Sequence, residues 1–194
     1  MFCKRWKKEV WTIPNFLSLL RLGMIPVYMS IYLKATTPQE YALAGGILAL
    51  SCLTDFADGF IARTFHMTST LGKFLDPVAD KATQLSLILC LSIRYRVLRP
   101  VLVLFLLKEL MQAVSTLFYL HRGKILCGAL MAGKVSTAIL FASLTLLVIL
   151  PQPHPHVILS LAFTDFVFLL HAFGGYLWAF FGPNRDDYLQ PFSK

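Results

Sequence analysis

Asp55-Phe56-Ala57-Asp58-Gly59-Phe60-Ile61-Ala62-Arg63, continued by Gly72, Asp76 and Asp80, sets four carboxylates, small residues and an arginine into an otherwise apolar sequence. Helical spacing explains the pattern. Asp55 and Asp58 are i and i+3, Asp76 and Asp80 are i and i+4, so each pair shares a helix face. Two acidic faces brought together in a membrane repel unless cations lie between them. Oxygen-only ligands suit hard ions such as Mg²⁺ or Mn²⁺. The stretch therefore predicts a divalent-metal site where two membrane helices meet. Helix-end carboxylates paired with Arg63 and Lys81 would account for one acidic pair, but less readily for four acids in this register.

Working outward, the whole chain fits a membrane setting. Its 194 residues are 57% hydrophobic and 14% charged, against about 25% charged in soluble domains. Mean hydropathy is +0.66. The expected fold is all-α and integral to the membrane, with six transmembrane helices in one domain. The net charge of +8 comes from basic residues flanking apolar runs. That suits anionic lipid headgroups rather than nucleic acid. Cys3, Cys52, Cys90 and Cys127 form no CxxC pair and read as small hydrophobes.

In residues 1–12, Phe2, Trp6 and Val10 recur at helical spacing among Lys4, Arg5, Lys7 and Lys8. A short amphipathic helix at the membrane interface is expected there. The membrane domain covers 13–182. Its expected spans, each near the 20 or so apolar residues that cross a bilayer, are Pro14–Leu33, Tyr41–Ala62, Phe74–Ile93, Pro100–Leu120, Ala132–Leu150 and Val157–Phe181. Arg21 lies within the first, in reach of an interface by snorkelling. Arg63–Lys73 is read as a loop with Gly72 near its end, and Asp76-Pro77 as the opening turn of the third span. Residues 183–194 form a polar tail.

Six spans place both termini on one side. With the N-terminus inside, the inner segments carry Lys4, Arg5, Lys7, Lys8, Arg63, Arg122, Lys124, Lys134, Arg185 and Lys194. The outer ones carry Lys34, Arg94, Arg96 and Arg99. The bias predicts a cytoplasmic N-terminus and an acidic stretch facing the cytoplasm. Glu9 and the lack of a serine-rich leader argue against an organelle-targeting segment, so a bacterial cell membrane is expected.

The order Asp-x2-Asp-Gly-x2-Ala-Arg-x8-Gly-x3-Asp-x3-Asp matches the signature of the CDP-alcohol phosphotransferase family at every fixed position. The six-span pattern also resembles that family. The resemblance implies that Asp55, Asp58, Asp76 and Asp80 hold two divalent cations against the pyrophosphate of a CDP-linked lipid. It implies Asp80 as the base that takes a proton from the acceptor hydroxyl, release of CMP, and a homodimer. The residue chemistry is compatible. Gly59 and Ala62 leave room for a nucleotide against the helix backbone, though small residues also serve helix packing. Gly72 does the same or shapes the loop. Arg63 offers a planar fork to phosphate. Two metals with positioned carboxylates suffice for phosphoryl-type transfer.

Pro14-Asn15, with Arg21 six residues after Asn15, resembles the first span of phosphatidylglycerophosphate and cardiolipin synthases, and Gly133-Lys134-Val135-Ser136-Thr137 resembles another stretch of theirs. The implied lipid donor is CDP-diacylglycerol. The implied acceptor is glycerol-3-phosphate, with phosphatidylglycerol as the alternative, bound by Lys108, Arg122 and Lys134. Asn15 also reads as an interfacial cap, and Lys134 as an interfacial lysine. Lys108-Glu109 departs from the Arg-acid pair expected there, and Glu109 reads as neutralising its basic neighbour. Asp165, deep in the sixth span, reads as the partner of a buried base. His154 and His156, in a loop on the opposite side from the acids, carry no assigned chemistry. A divalent-cation transporter would use the acids but leaves Gly59, Ala62 and Arg63 unexplained. A catalytically inactive scaffold would tolerate a broken motif, and this one is intact.

Overall fold

The computed structural model describes residues 13–64, 70–121, 124–126, 128–150, 152–182 and 189–191. The fold is helical. Six long helices follow one another: α1 Ile13–Lys34, α2 Pro38–Thr64, α3 Thr70–Arg94, α4 Arg99–His121, α5 Gly128–Ile149 and α6 Pro155–Phe181. Three described segments are long and apolar enough to cross a membrane: Arg96–His121, Met131–Ile149 and Pro155–Phe181. Within lipid a helix satisfies its own backbone groups. Exposed side chains such as Leu110, Leu117, Phe163 and Phe181 suit contact with acyl chains.

The chain divides into two compact units, and the first comprises residues 1–90 with 148–152. In it α1 and α2 form a tightly packed hairpin. Tyr28 and Tyr32 lie 5.7 Å apart along α1, and the Tyr32 ring meets Tyr41 of α2 edge-on at 5.5 Å. The Tyr41 hydroxyl donates to the carbonyl of Ala35, 2.8 Å away, which closes the turn. The start of α2 is a capping box. Glu40 Oε2 accepts from the backbone N–H groups of Thr36 at 2.6 Å and Thr37 at 3.0 Å, while Glu40 N–H donates to Thr37 Oγ1. Each bond satisfies a donor that the helix end leaves unmet.

The second unit comprises residues 91–147 and 153–194. Here α4 packs along α6. The Tyr119 hydroxyl donates to the carbonyl of Ala179, 3.1 Å away, and Phe118, Tyr119 and Phe180 interlock at ring separations of 5.1 to 6.0 Å. His154 caps α6, with Pro155 in its first turn, where a missing N–H costs nothing.

The helices match the expected spans closely, with three departures. First, α3 begins at Thr70. Gly72 is thus in its first turn rather than in a loop, and Pro77 is well inside the helix rather than in its opening turn. Pro77 removes one i→i−4 hydrogen bond there, and tertiary context overrides that cost. Second, Arg96–Leu98 form a 3-10 turn before α4. Third, Lys124–Leu126 (β1) pair antiparallel with Leu189–Pro191 (β2), with Ile125 opposite Gln190. The sequence reading has a loop and a polar tail there. A ladder of three residues is too short to show a period of two in side-chain pattern. The interfacial helix expected over 1–12 lies outside the described residues, as does most of the tail.

The Glu40 carboxyl is held below its ordinary range by the Thr36 and Thr37 backbone N–H groups. A depressed folded-state value stabilises the fold above the unfolded value, and the contribution is lost as pH falls through the folded value. Thermal unfolding of Glu40→Gln in detergent should give a lower Tm than wild type near neutral pH. The difference should vanish on acidification below the carboxylate range. A difference independent of pH would exclude the charged capping box.

Candidate active site

The motif lies on two helices. Asp55, Asp58, Gly59, Ala62 and Arg63 fall in the second half of α2, and Gly72, Asp76 and Asp80 in the first half of α3. Helix at all these positions makes the i, i+3 and i, i+4 acid pairs true face-sharing pairs. The side chains of Asp55, Asp58, Gly59, Ala62, Arg63, Gly72 and Asp76 lie outside the described residues, as do those of Asn15 and Arg122.

A small cleft fixes the level at which three helices converge. Met24 and Ile25 of α1, Ser51 of α2 and Thr83 of α3 all line it. One turn away on each helix stand Arg21, Asp55 and Asp80. Because α1 and α3 run alike and α2 runs against them, the three positions come to one level. Arg21 and Asp80 meet directly: Nη1 donates to Oδ1 over 2.7 Å. The Arg21 side chain is 2% exposed and that of Asp80 53%. Arg21 thus turns inward to the acid rather than snorkelling to an interface. A guanidinium in an apolar helix bundle needs a carboxylate more than it needs length.

In the second unit the three expected acceptor residues have different settings. Lys108 is fully buried on α4, and its Nζ donates to Glu109 Oε1 over 2.8 Å, so Glu109 does neutralise its neighbour. Lys134 is exposed on α5. Asp165 is buried on α6, with the Ser143 hydroxyl near its carboxyl. Neither carboxylate oxygen has a hydrogen-bond partner by distance and angle among the described residues, so no buried base among them pairs with it. A residue the sequence reading missed is Tyr176. It is fully buried on the α6 face that carries Ala162, Asp165, Leu169 and Ala172. Its hydroxyl packs against α5 where Gly133 has no side chain, and a Cβ at Gly133 would collide with it. The helical register from Asp165 to Tyr176 was the available signal.

The CDP-alcohol phosphatidyltransferase family model matches residues 11–176. The chain belongs to this family. It is 33% identical over 145 residues to a probable phosphatidylglycerophosphate synthase of Mycobacterium tuberculosis, covering 74% of this chain and 68% of that protein. It is 40% identical over 113 residues to a cardiolipin synthase (CMP-forming) of Rattus norvegicus, covering 57% of this chain and 35% of the rat protein. A CDP-diacylglycerol–glycerol-3-phosphate 3-phosphatidyltransferase of Rickettsia bellii is 39% identical over 70 residues, 36% of this chain and 38% of that protein. The match spans about a third of the length of the rat protein.

For a CDP-alcohol phosphatidyltransferase, the donor set fits divalent cations. The motif offers carboxylate oxygens alone, in pairs one turn apart on two helices, and the described Asp80 carboxylate is open rather than enclosed. Hard ions take such oxygens.

The α5–α6 contact is tight enough to test. Gly133→Ala should lower stability by about 1–3 kcal/mol, the usual cost of overpacking. Adding Tyr176→Phe should recover part of it, since ring carbons of Tyr176 at 3.1 and 3.2 Å still crowd the methyl. Thermal unfolding of the single and double variants decides this, and full additivity would exclude the contact.

Proposed function

We propose that this chain is a CDP-diacylglycerol–glycerol-3-phosphate 3-phosphatidyltransferase. It would have six membrane spans, with its N-terminus and acidic motif on the cytoplasmic side of a bacterial cell membrane. The observation that carries the reading is the intact eight-position motif, borne on α2 and α3, with Asp80 open beside Arg21. The working state taken from the family resemblance is a homodimer.

In this reading Asp55, Asp58, Asp76 and Asp80 hold Mg²⁺ or Mn²⁺. Bound cations supply charge neutralisation for the pyrophosphate and its leaving group. Gly59 and Ala62 admit the nucleotide against α2, Gly72 keeps the first turn of α3 open, and Arg63 pairs with phosphate. The acceptor hydroxyl oxygen bonds to the phosphorus that carries diacylglycerol. The bond from that phosphorus to the bridging oxygen breaks, and CMP departs. The hydroxyl proton passes to Asp80, which has the exposure this needs. In the same reading Lys108, Arg122 and Lys134 are the basic groups assigned to the acceptor phosphate, whose charge calls for them.

A second reading, a cardiolipin synthase with phosphatidylglycerol as acceptor, draws support from the 40% and 39% identities to the rat and human cardiolipin synthases. Both readings share the same first chemical step and differ in the acceptor.

Purified protein in detergent should release CMP from CDP-diacylglycerol only with a divalent cation and glycerol-3-phosphate. Release with phosphatidylglycerol alone would move the chain to the second reading. Asp58→Asn should abolish release while leaving membrane insertion intact, and retained turnover would refute its role as a metal ligand. Lys134→Ala should raise KM for glycerol-3-phosphate about tenfold, the scale of one charge-assisted hydrogen bond. KM for the CDP-lipid should change little, and equal effects on both would make Lys134 structural.

A further inference from the structure

The Arg21–Asp80 pair is asymmetric. Its cation is 2% exposed and its anion 53% exposed, with Nη1 and Oδ1 2.7 Å apart. A pair that served only to hide the charge of Arg21 would gain by burying both partners or by replacing both with apolar side chains. Here a donor fixed by packing stands behind an accessible carboxylate. Arg21 lies on the α1 face that continues into Tyr28 and Tyr32, both 2% exposed. Rotating its guanidinium away would give up a charge-assisted hydrogen bond at a buried cation. Asp80 has two short side-chain torsions and a half-exposed side chain. Arg21 is therefore the anchor, and Asp80 is the group that is anchored.

We propose that Arg21 is the positioning residue of the transferase site: by engaging Oδ1 of Asp80 it sets the direction in which Oδ2 is presented to the acceptor hydroxyl and to bound cation. The inference rests on the reading of Asp80 as part of that site. A guanidinium suits the task because its donors sit at fixed angles in a plane, whereas an ammonium constrains distance more than direction. The pairing also spans α1 and α3, so it registers the first helix against the helix that carries the second acid pair.

The test uses the full chain in detergent, with Arg21→Met, which keeps volume and loses charge, Arg21→Lys, which keeps charge and loses the fork, Asp80→Asn, and the double variant R21M/D80N. Thermal unfolding establishes that each is folded. R21M should lower kcat for CMP release on the order of 10²-fold, the scale of a reacting group displaced by about 1 Å, with KM for CDP-diacylglycerol within about threefold. R21K should fall between R21M and wild type. The second readout does not depend on turnover: Mn²⁺ is titrated and the free ion followed by electron paramagnetic resonance. R21M should weaken Mn²⁺ binding by roughly tenfold, the lower end for losing a partner of a metal ligand. In the D80N background it should change the affinity less than twofold, because Arg21 acts through Asp80. If R21M does not fold, R21K decides by the same comparison.

An unchanged Mn²⁺ affinity in R21M, or an equal loss with and without D80N, overturns the proposal. Wild-type protein that binds Mn²⁺ but releases no CMP with any acceptor removes the transferase reading, and the coupling of Arg21 to Asp80 is then judged on the metal titration alone. Wild-type protein that does neither overturns both.

Discussion

Placing ionised groups inside an apolar chain is the constraint on which the rest of this structure depends. A guanidinium in a bundle of membrane helices is tolerable only beside an anion. Arg21 finds Asp80 at 2.7 Å, and that one contact brings the first and third helices to a common level. The second helix is set against the first by the tyrosine ladder and the Tyr41–Ala35 hydrogen bond. With those contacts made, Asp55 has to arrive at the same level. The level shared by these helix positions is thus a result of helix registration.

The second unit handles polarity differently. Lys108 is neutralised by its sequence neighbour, while Ser115, Asp165 and Tyr176 bring buried polar atoms into its interior without a hydrogen-bond partner among the described residues. Its helices are held by close approach, as at Gly133 and Tyr176, and by interlocking rings at Phe118, Tyr119 and Phe180. This suits association in lipid, where apolar burial drives little and packing of small against large residues does more.

Much of this was legible in the sequence because membrane thickness fixes helix length and because a signature with fixed spacing specifies which helix ends carry the acids. The succession of long helices and the Lys108–Glu109 pair came through on those grounds. Tertiary contacts did not. Nothing local distinguishes an Arg21 that snorkels from one that turns inward to an acid 59 residues away. The setting of Asp165 is likewise a property of its neighbours. The early start of α3 was hidden by Pro77, which as a local signal argues for a helix beginning and here lies inside one. The capping box at Thr37 and Glu40 was readable from residue types alone, but it lay in a connection with no apparent chemistry.

The short ladder between β1 and β2 carries a topological consequence. Two strands can share hydrogen bonds only if they lie on the same side of a bilayer. Between Lys124–Leu126 and Leu189–Pro191 run α5 and α6, both with segments apolar enough to cross. An even number of crossings between the strands is therefore required, so both helices cross or neither does. During synthesis β1 is made before α5 and α6 and has no partner until both are complete. A chain in which one of the two helices crossed without the other could not close the ladder.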